Sequence, residues 1–168
     1  LHNVSSPKNK SLETIIHTLK SVFLAKFRYK ADVVHIHAVG PGLVVPLAKL
    51  LGLKVVFTHH GPDYDREKWG GFSKKIIRLG ERFAVKFADE VIVISHVIKD
   101  LIENKYKRID SHLIYNGVPT PQIIETTDYL SSLGVESGKY IFAMGRFEKE
   151  KNFHQLIEAF SKLDNIGY

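Results

Sequence analysis

Apolar residues spaced three and four positions apart predict helices in five parts of the chain. The helix predicted over 72–87 has one apolar stripe and carries its cationic residues elsewhere, so the stripe is expected to face the core. The members of this stripe are Phe72, Ile76, Leu79, Phe83 and Phe87. The other predicted helices run from Ser11 to Arg28, from Gly42 to Leu51, from a cap at Ser95 to about Lys105, and over 152–163.

Runs of β-branched residues predict strands between these helices. The run at 33–37 is apolar until histidine interrupts it, which is typical of a buried strand in a parallel sheet. Similar runs predict strands at 53–58, 90–94, 112–115 and 140–144. The alternation of strands and helices predicts an α/β fold, a Rossmann-like parallel sheet with helices on both faces. Ligands of such sheets bind at the carboxyl ends of the strands.

A change in composition over 120–138 predicts a linker, because Pro, Thr, Ser and Gly are common there. The linker separates an amino-terminal domain, 1–119, from a second domain that begins at 139 and continues to 168. This second part holds one predicted strand and one helix, which cannot bury their faces alone. Since the chain begins with Leu1 rather than Met, we expect it to be cut from a longer protein.

The composition narrows the class of protein. The 168 residues are 44% hydrophobic and 25% charged, which excludes a disordered, collagen-like or coiled-coil chain. No apolar run approaches the roughly 20 residues that span a bilayer. The absence of cysteine excludes disulfides, thiolate zinc sites and a cysteine nucleophile, and it fits a reducing cytoplasm. The net charge of +6 favours anionic partners such as nucleotide phosphates or an acidic membrane face.

Four histidines lie at the predicted carboxyl ends of two neighbouring strands. His35 and His37 are two apart and therefore face the same side, whereas the neighbours His59 and His60 face opposite sides. Near neutral pH an imidazole can act as an acid, a base, a metal ligand or a hydrogen-bond donor. Because no carboxylate lies within the cluster, we favour substrate binding by at least one histidine over a zinc site or plain packing.

A loop at 61–71 follows these histidines and mixes acidic, basic and aromatic residues, as functional loops often do. Asp63, Asp65 and Glu67 are candidates for hydrogen bonds to sugar hydroxyls. The alternative is a surface connection in which Trp69, the only tryptophan of the sequence, folds back onto the core.

The helix over 72–87 presents a cationic face. Such a helix can rest on anionic lipid, although a core stripe backed by a solvated face is the commoner arrangement. Nucleic-acid binding is not expected, because no aromatic ladder, helix-turn-helix spacing or zinc finger accompanies the charge.

The segment GRFEKEKN at 145–152 follows a predicted strand and opens a predicted helix. Arg146 and Lys151 bracket the start of this helix, where backbone N–H groups already favour anions. Two cations there can hold a diphosphate and offset the charge that develops as it leaves. The alternative is a solvated turn in which Asn152 caps the helix, with Gln155 at the third helical position.

Five ordered segments together carry a family resemblance. They are DVVHIH at 32–37, VVFTHHG at 55–61, ADEVIVIS at 88–95, YNGVP at 115–119, and GRFEKEKN at 145–152 with LIEAF at 156–160. In this order they resemble the retaining glycosyltransferases of group one, family four. The loop 63–69 is also similar to loops of transferases in polysaccharide and O-antigen assembly, including that of lipopolysaccharide.

The resemblance implies a GT-B architecture, in which two Rossmann-like domains bind an acceptor and a nucleotide-sugar donor on either side of a cleft. It implies that His60 lies beside the transferred sugar and that Gly145, Arg146 and Lys151 hold the donor diphosphate, without a metal or other cofactor. His60, Arg146 and Lys151 are then the catalytic residues. Substrate contacts are expected from His37 and from the loop residues Asp63, Asp65, Glu67 and Trp69.

The implied activity is transfer of a sugar, with retention, to a glycan or lipid-linked acceptor in cell-surface polysaccharide biosynthesis. The implied location is the cytoplasm, with peripheral contact to the anionic inner face of the membrane. The family's glycine-rich first loop and paired glutamates are missing from the 168 residues, so the chain alone is expected to be inactive. The family also usually has glycine where this chain has Asn152.

Two alternatives belong to other classes of protein. A metal-dependent hydrolase built on His35, His37, His59 and His60 predicts stoichiometric bound zinc. A noncatalytic adaptor at a membrane surface predicts liposome binding without affinity for nucleotide sugars. Neither alternative explains the segment at 145–152.

Overall fold

The computed structural model describes residue 4 and residues 13–65, 69–123 and 128–163. They belong to two compact units, Leu1–Gly117 and Val118–Tyr168. Helices and strands alternate in the first unit. They are α1 (Glu13–Phe23), β1 (Val33–His37), α2 (Val45–Leu50), β2 (Lys54–His59), α3 (Gly71–Phe87), β3 (Glu90–Val93), α4 (His96–Tyr106) and β4 (His112–Leu113). A π-helical turn, Leu24–Arg28, extends α1, and 3₁₀ turns form at Pro41–Val44 and Asp63–Asp65.

The four strands of the described first unit form one parallel sheet in the order β1-β2-β3-β4. The predicted α/β, Rossmann-like fold is therefore confirmed. The prediction that β1 is buried on both faces is wrong, because one face is exposed. Ile36 is buried, but Val33, His35 and His37 are exposed, because β1 lies at the edge of the described sheet and its side chains alternate.

The core lies between this sheet and the helices that pack on it. Val55 and Phe57 of β2 and Val91 and Val93 of β3 are fully buried. Helix α2 packs against β2, α4 packs against β3, and α3 packs between α2 and α4. The Ser95 hydroxyl accepts a hydrogen bond from the Ile98 N–H at 3.3 Å, which confirms the predicted cap of α4.

Helix α3 buries a different face from the one predicted. Phe72 is 79% exposed, and Leu79 and Phe87 are also exposed. The buried residues of α3 are Ile77, Gly80, Glu81, Ala84 and Val85. The prediction that the apolar stripe faces the core is therefore wrong. The orientation of α3 is decided by the close approach at Gly80 and by the hydrogen-bonded carboxylate of Glu81, rather than by the largest apolar side chains.

The close approach joins α3 to the turn that follows β1. An added Cβ on Gly42 would lie 2.5 Å from the Gly80 carbonyl oxygen, and one on Gly80 would lie 2.2 Å from the Val39 carbonyl oxygen. Both distances are far inside van der Waals contact, so the crossing has room only for glycine at these two positions. The crossing fixes the backbone immediately after His37.

Asp89 joins the start of β3 to β2 and α2. Its carboxylate accepts hydrogen bonds from the Lys49 ammonium at 2.6 and 2.7 Å and from the Val55 N–H at 2.7 Å. These hydrogen bonds, led by that of Lys49, lower the pKa of Asp89 to about 2. Asp89 therefore stays ionised at every physiological pH.

The second unit contains α5 (Asp128–Ser132), a 3₁₀ turn at Lys149–Lys151, and α6 (Phe153–Ser161) among its described residues. The strand predicted at 140–144 does not form there. No neighbouring strand in the described part of this unit takes up its backbone hydrogen bonds, and Ile141 and Phe142 remain exposed. Segment 139–147 and α6 line an open, mainly apolar cavity of about 870 Å³.

Among the described residues, no helix is long and apolar enough to cross a membrane.

Candidate active site

Three histidines gather at the carboxyl ends of β1 and β2. The rings of His35 and His37 lie 4.0 Å apart between centroids, so they share one face as predicted. The His37 Nδ1 and the His60 Nε2 lie at hydrogen-bond distance, 3.0 Å, and the His35 Nε2 lies 2.7 Å from the Thr58 hydroxyl. The parallel pairing of His37 with Thr58 brings these ends together. We call His35, His37 and His60 the histidine cluster.

Two members of the histidine cluster, His35 and His60, favour the neutral form. Burial, then the positive charge that His37 and His60 would carry, lowers the pKa of His35. Burial, then the neighbouring histidines, also lowers the pKa of His60, although Asp63 works in the opposite direction. A neutral imidazole can both donate and accept a hydrogen bond, so His35 and His60 are suited to holding hydroxyl groups.

His59 lies on the opposite side of β2 from His60. It is fully buried, and its Nε2 donates a hydrogen bond to Glu81 Oε1 at 2.9 Å. Its Nδ1 accepts a hydrogen bond from the Gly61 N–H at 3.1 Å. Of the four predicted histidines, His59 is thus the one that belongs to the core.

Glu81 is the centre of a buried polar network that sequence reasoning missed. Besides His59, its carboxylate accepts hydrogen bonds from Tyr64 at 3.0 Å, from Lys105 at 2.6 Å and from Tyr106. Burial alone would raise the pKa of Glu81, but the hydrogen bonds from His59, Lys105 and Tyr106 outweigh it and lower the pKa to about 2. The Glu81 carboxylate is therefore ionised.

Burial and the adjacent Glu81 raise the pKa of Tyr106 to about 12, so its hydroxyl keeps the proton that it donates. For Glu81, the available signal in the sequence was that it is the single acidic residue of α3, a helix whose other charged residues are basic. The pattern could not name its partners, because Tyr64 and Lys105 lie on other elements.

The loop that follows His60 contributes to a cavity of about 350 Å³. Asp63, Trp69 and Phe72 line this cavity together with residues of α1, α3 and the turn after β1. Trp69 also packs against the hydrophobic core, as the alternative interpretation of the loop predicted. Asp65 is exposed and does not line the cavity, and Glu67 lies outside the described residues.

Arg146 and Lys151, which the sequence predicts to hold the donor diphosphate, both precede α6 in the second unit. Arg146 and Lys151 are both exposed, and among the described residues no carboxylate pairs with either. An added Cβ on Gly145 would lie 3.3 Å from the Phe153 ring, so glycine permits tight packing there. The two cations and the histidine cluster belong to different units.

Asn152 sits at the start of α6 in the left-handed conformation, with φ of 53°. Glycine adopts this conformation most readily and asparagine is among the next best, so Asn152 suits the position where the resembling family has glycine. The predicted side-chain cap is wrong, since the Asn152 side chain accepts no capping hydrogen bond. Its backbone carbonyl accepts from the Gln155 and Leu156 N–H groups instead.

The zinc alternative depends on how possible ligand side chains are grouped. Among the residues that the structure describes, no three or more His, Asp or Glu side chains are grouped to hold a metal ion. The His37 and His60 rings instead direct one nitrogen each at the other.

Comparison with known proteins adds family evidence to this geometry. The chain is 32% identical over 145 residues to the alpha-maltose-1-phosphate synthase of Mycolicibacterium smegmatis, covering 77% of this chain and 37% of that protein. It is 32% identical over 116 residues to the alpha-1,3/1,6-mannosyltransferase ALG2 of Saccharomyces cerevisiae, covering 64% of this chain and 23% of that protein. The Candida glabrata enzyme of the same name is 30% identical over 128 residues, 70% of this chain and 28% of that protein.

The chain therefore spans well under half the length of the curated relatives it matches. The family model described as Glycosyltransferase Family 4 matches residues 1–122, which include all of β1 to β4 and the histidine cluster. The parallel sheet, the match to the family model and the similarity to mannosyltransferases agree, and the chain belongs to Glycosyltransferase Family 4.

Proposed function

We propose that this chain is part of a longer enzyme that transfers a sugar, with retention of configuration, from a nucleotide-sugar donor to a glycan or lipid-linked acceptor. The observation that carries this proposal is the family match over 1–122. The matched region contains the sheet and the histidine cluster at the carboxyl ends of β1 and β2. Glycosyl transfer follows from membership of the family. The metal-dependent hydrolase and the membrane adaptor are not favoured by these relatives.

The first unit supplies groups for sugar hydroxyls. His60 and His37 offer ring nitrogens, and Asp63 offers a carboxylate at the edge of the 350 Å³ cavity. His60 is proposed to lie beside the transferred sugar, because it directly follows β2 and its ring stacks on the exposed ring of His37. A ring held neutral at pH 7 can hydrogen-bond a hydroxyl without placing a full charge next to an electron-poor transition state.

The second unit supplies the groups for the donor phosphates. Arg146 and Lys151 are exposed cations five residues apart in the segment before α6, and neither pairs with a carboxylate among the residues that the structure describes. A diphosphate leaving group gains negative charge as the sugar departs, and fixed cations stabilise that charge. With cations in this role the reaction needs no divalent metal, and we propose that it proceeds without one.

The acceptor and product are proposed more narrowly. The names of both kinds of relative describe α-linked products. An enzyme that retains configuration forms such a product from an α-linked donor, which agrees with the proposed stereochemistry. We propose an acceptor that belongs to the assembly of a cell-surface polysaccharide or another glycan.

The test uses the full-length enzyme and a panel of nucleotide sugars whose anomeric configuration is known. NMR of the first product formed gives the configuration of the new bond, and a parallel reaction contains excess EDTA. We expect the donor configuration in the product and the same rate with EDTA. An inverted product overturns retention, and loss of turnover that manganese restores overturns the metal-free reaction. Hydrolysis of a substrate without any sugar transfer overturns the proposed function.

A further inference from the structure

His60 lies between His59 and Gly61, and the buried ring of His59 is hydrogen-bonded to the backbone of Gly61. The residue before it, His59, is fully buried with its ring bound to Glu81. The residue after it, Gly61, donates its N–H back to the same ring at 3.1 Å. Gly61 has φ of 134°, a conformation that residues other than glycine rarely adopt. The hydrogen bond to the His59 ring holds this sharp turn.

These contacts fix the tautomer of His59. A backbone N–H can only donate, so the His59 Nδ1 that faces Gly61 must be an acceptor without a proton. The proton of the neutral ring therefore lies on Nε2, where it is donated to Glu81 Oε1 at 2.9 Å. In the other tautomer both hydrogen bonds would be lost, because Nε2 would face a carboxylate without a proton and Nδ1–H would face the Gly61 N–H.

Glu81 is well suited to impose this tautomer. It is completely buried on α3, and the Lys105 ammonium 2.6 Å from its carboxylate keeps it ionised. An ionised carboxylate has no proton to give, so the only favourable partner for it is a donor. The same carboxylate accepts the hydroxyl of Tyr64 from the turn Asp63–Asp65 and thus ties the loop at a second point.

We propose that Glu81 and His59 form a positioning pair that sets the place of His60. Glu81 orients the His59 ring, the ring holds the Gly61 turn, and the turn directs His60 to His37, with the two ring nitrogens 3.0 Å apart. Neither member of the pair reaches the exposed cluster. The positions of the rings are a property of this chain, and only the effect on turnover rests on the proposed function.

The first experiment is heteronuclear NMR of the 168-residue chain labelled with ¹⁵N. Long-range correlations of the imidazole nitrogens report the tautomer of His59, amide exchange reports the Gly61 hydrogen bond, and a nuclear Overhauser effect between ring protons reports the contact of His37 with His60. We expect the unmodified chain to show His59 with its proton on Nε2, a protected Gly61 amide, and the ring contact.

Three variants separate positioning from general stability. Glu81→Leu should leave His59 in a mixture of tautomers and speed Gly61 exchange about tenfold, the factor that corresponds to a weakened hydrogen bond of about 1.4 kcal/mol. His59→Val should give the same increase and lose the ring contact of His60. Tyr106→Phe removes another hydrogen bond from the same carboxylate without touching His59, so it should leave both signals unchanged.

Three results would overturn the proposal. They are a proton on His59 Nδ1 in the unmodified chain, an equal effect of Tyr106→Phe on Gly61, and an intact contact of His37 with His60 in His59→Val. Because His59→Val keeps Lys105, Tyr64 and Tyr106 on Glu81, it tests the pair even where Glu81→Leu does not fold.

Turnover supplies the second experiment, with the full-length enzyme. Glu81→Leu and His59→Val should lower kcat about 100-fold, the scale set by a misplacement of about 1 Å, with little change in KM. Tyr106→Phe should keep the parental kcat. Equal losses in all three variants would mean a purely structural network and overturn the positioning role. If the unmodified enzyme transfers no sugar, the proposed function fails, while the NMR result still decides the place of His60.

Discussion

Replacement of Gly80 by alanine tests the helix crossing that lies next to the histidine cluster, directly after β1. The added methyl group would lie 2.2 Å from the Val39 carbonyl oxygen, whereas ordinary contact begins at 3.4 Å, so the backbones must separate by 3.4 − 2.2 = 1.2 Å. The obstacles are backbone atoms of Val39, Gly40 and Leu43, which no side-chain rotation can move away. Overpacking of this kind costs about 1 to 3 kcal/mol.

Gly71→Ala is the matched control, because Gly71 begins the same helix and an added Cβ there meets no atom within 4 Å. Alanine is favoured over glycine in a helix by up to about 1 kcal/mol, so this control should be neutral or stabilising. Gly80→Ala should be less stable than the unmodified chain by about 1 to 3 kcal/mol despite the same gain in propensity.

Urea unfolding measures both variants. Trp69 is the only tryptophan and packs against the core of the first unit, so its fluorescence reports the unfolding of that unit. Equal midpoints for Gly80→Ala and Gly71→Ala would refute the claim that the crossing excludes a methyl group. A further check is the ring contact of His37 with His60, which should weaken in Gly80→Ala because the turn after β1 has moved.

Three further predictions concern charge. The pKa values of His35 and His60 are lowered, so the unfolded chain binds more protons than the folded chain near pH 6.5. The free energy of unfolding should therefore decrease as the pH is lowered from about 7.5 to 5.5, and a melting temperature that stays constant over this range would contradict the prediction. Asp89→Asn should cost about 1.5 to 3 kcal/mol in urea unfolding, since it weakens charged hydrogen bonds, and a change under 0.5 kcal/mol would be too small for that role. In the full-length enzyme, Arg146→Ala and Lys151→Ala should each raise the barrier by about 2 to 4 kcal/mol, whereas Lys162→Ala, at the far end of α6, should leave kcat/KM near the parental value.

The order of strands and helices in the first unit was predictable because each element has a distinct local pattern. Short β-branched runs bounded by Asp, Gly or Ser marked β1, β2 and β3 to within about two residues. The strand at 140–144 was not predictable in the same way. Its pattern is right for a strand, but a strand needs a hydrogen-bonded neighbour, which is a property of the fold rather than of the segment.

The candidate site was predictable only in part. The two-residue spacing of His35 and His37 correctly placed their rings together, and the alternation along β2 correctly separated His59 from His60. The role of Glu81 was not predictable from the sequence, because its hydrogen-bond partners lie on elements distant in sequence. The apolar stripe assigned to α3 added to the error, since it followed the largest side chains while the helix buries the face with Gly80 and Ala84.

The most direct test of the central claim is the turnover of His60→Ala in the full-length enzyme with its nucleotide-sugar donor. His112→Ala is the control, because His112 is likewise exposed at a strand of the same sheet but pairs with Glu90 on β3. We expect a loss in kcat/KM of about 100-fold or more for His60→Ala and near-parental values for His112→Ala. A His60→Ala enzyme that transfers sugar at the parental rate would contradict the assignment of the histidine cluster as the site of transfer.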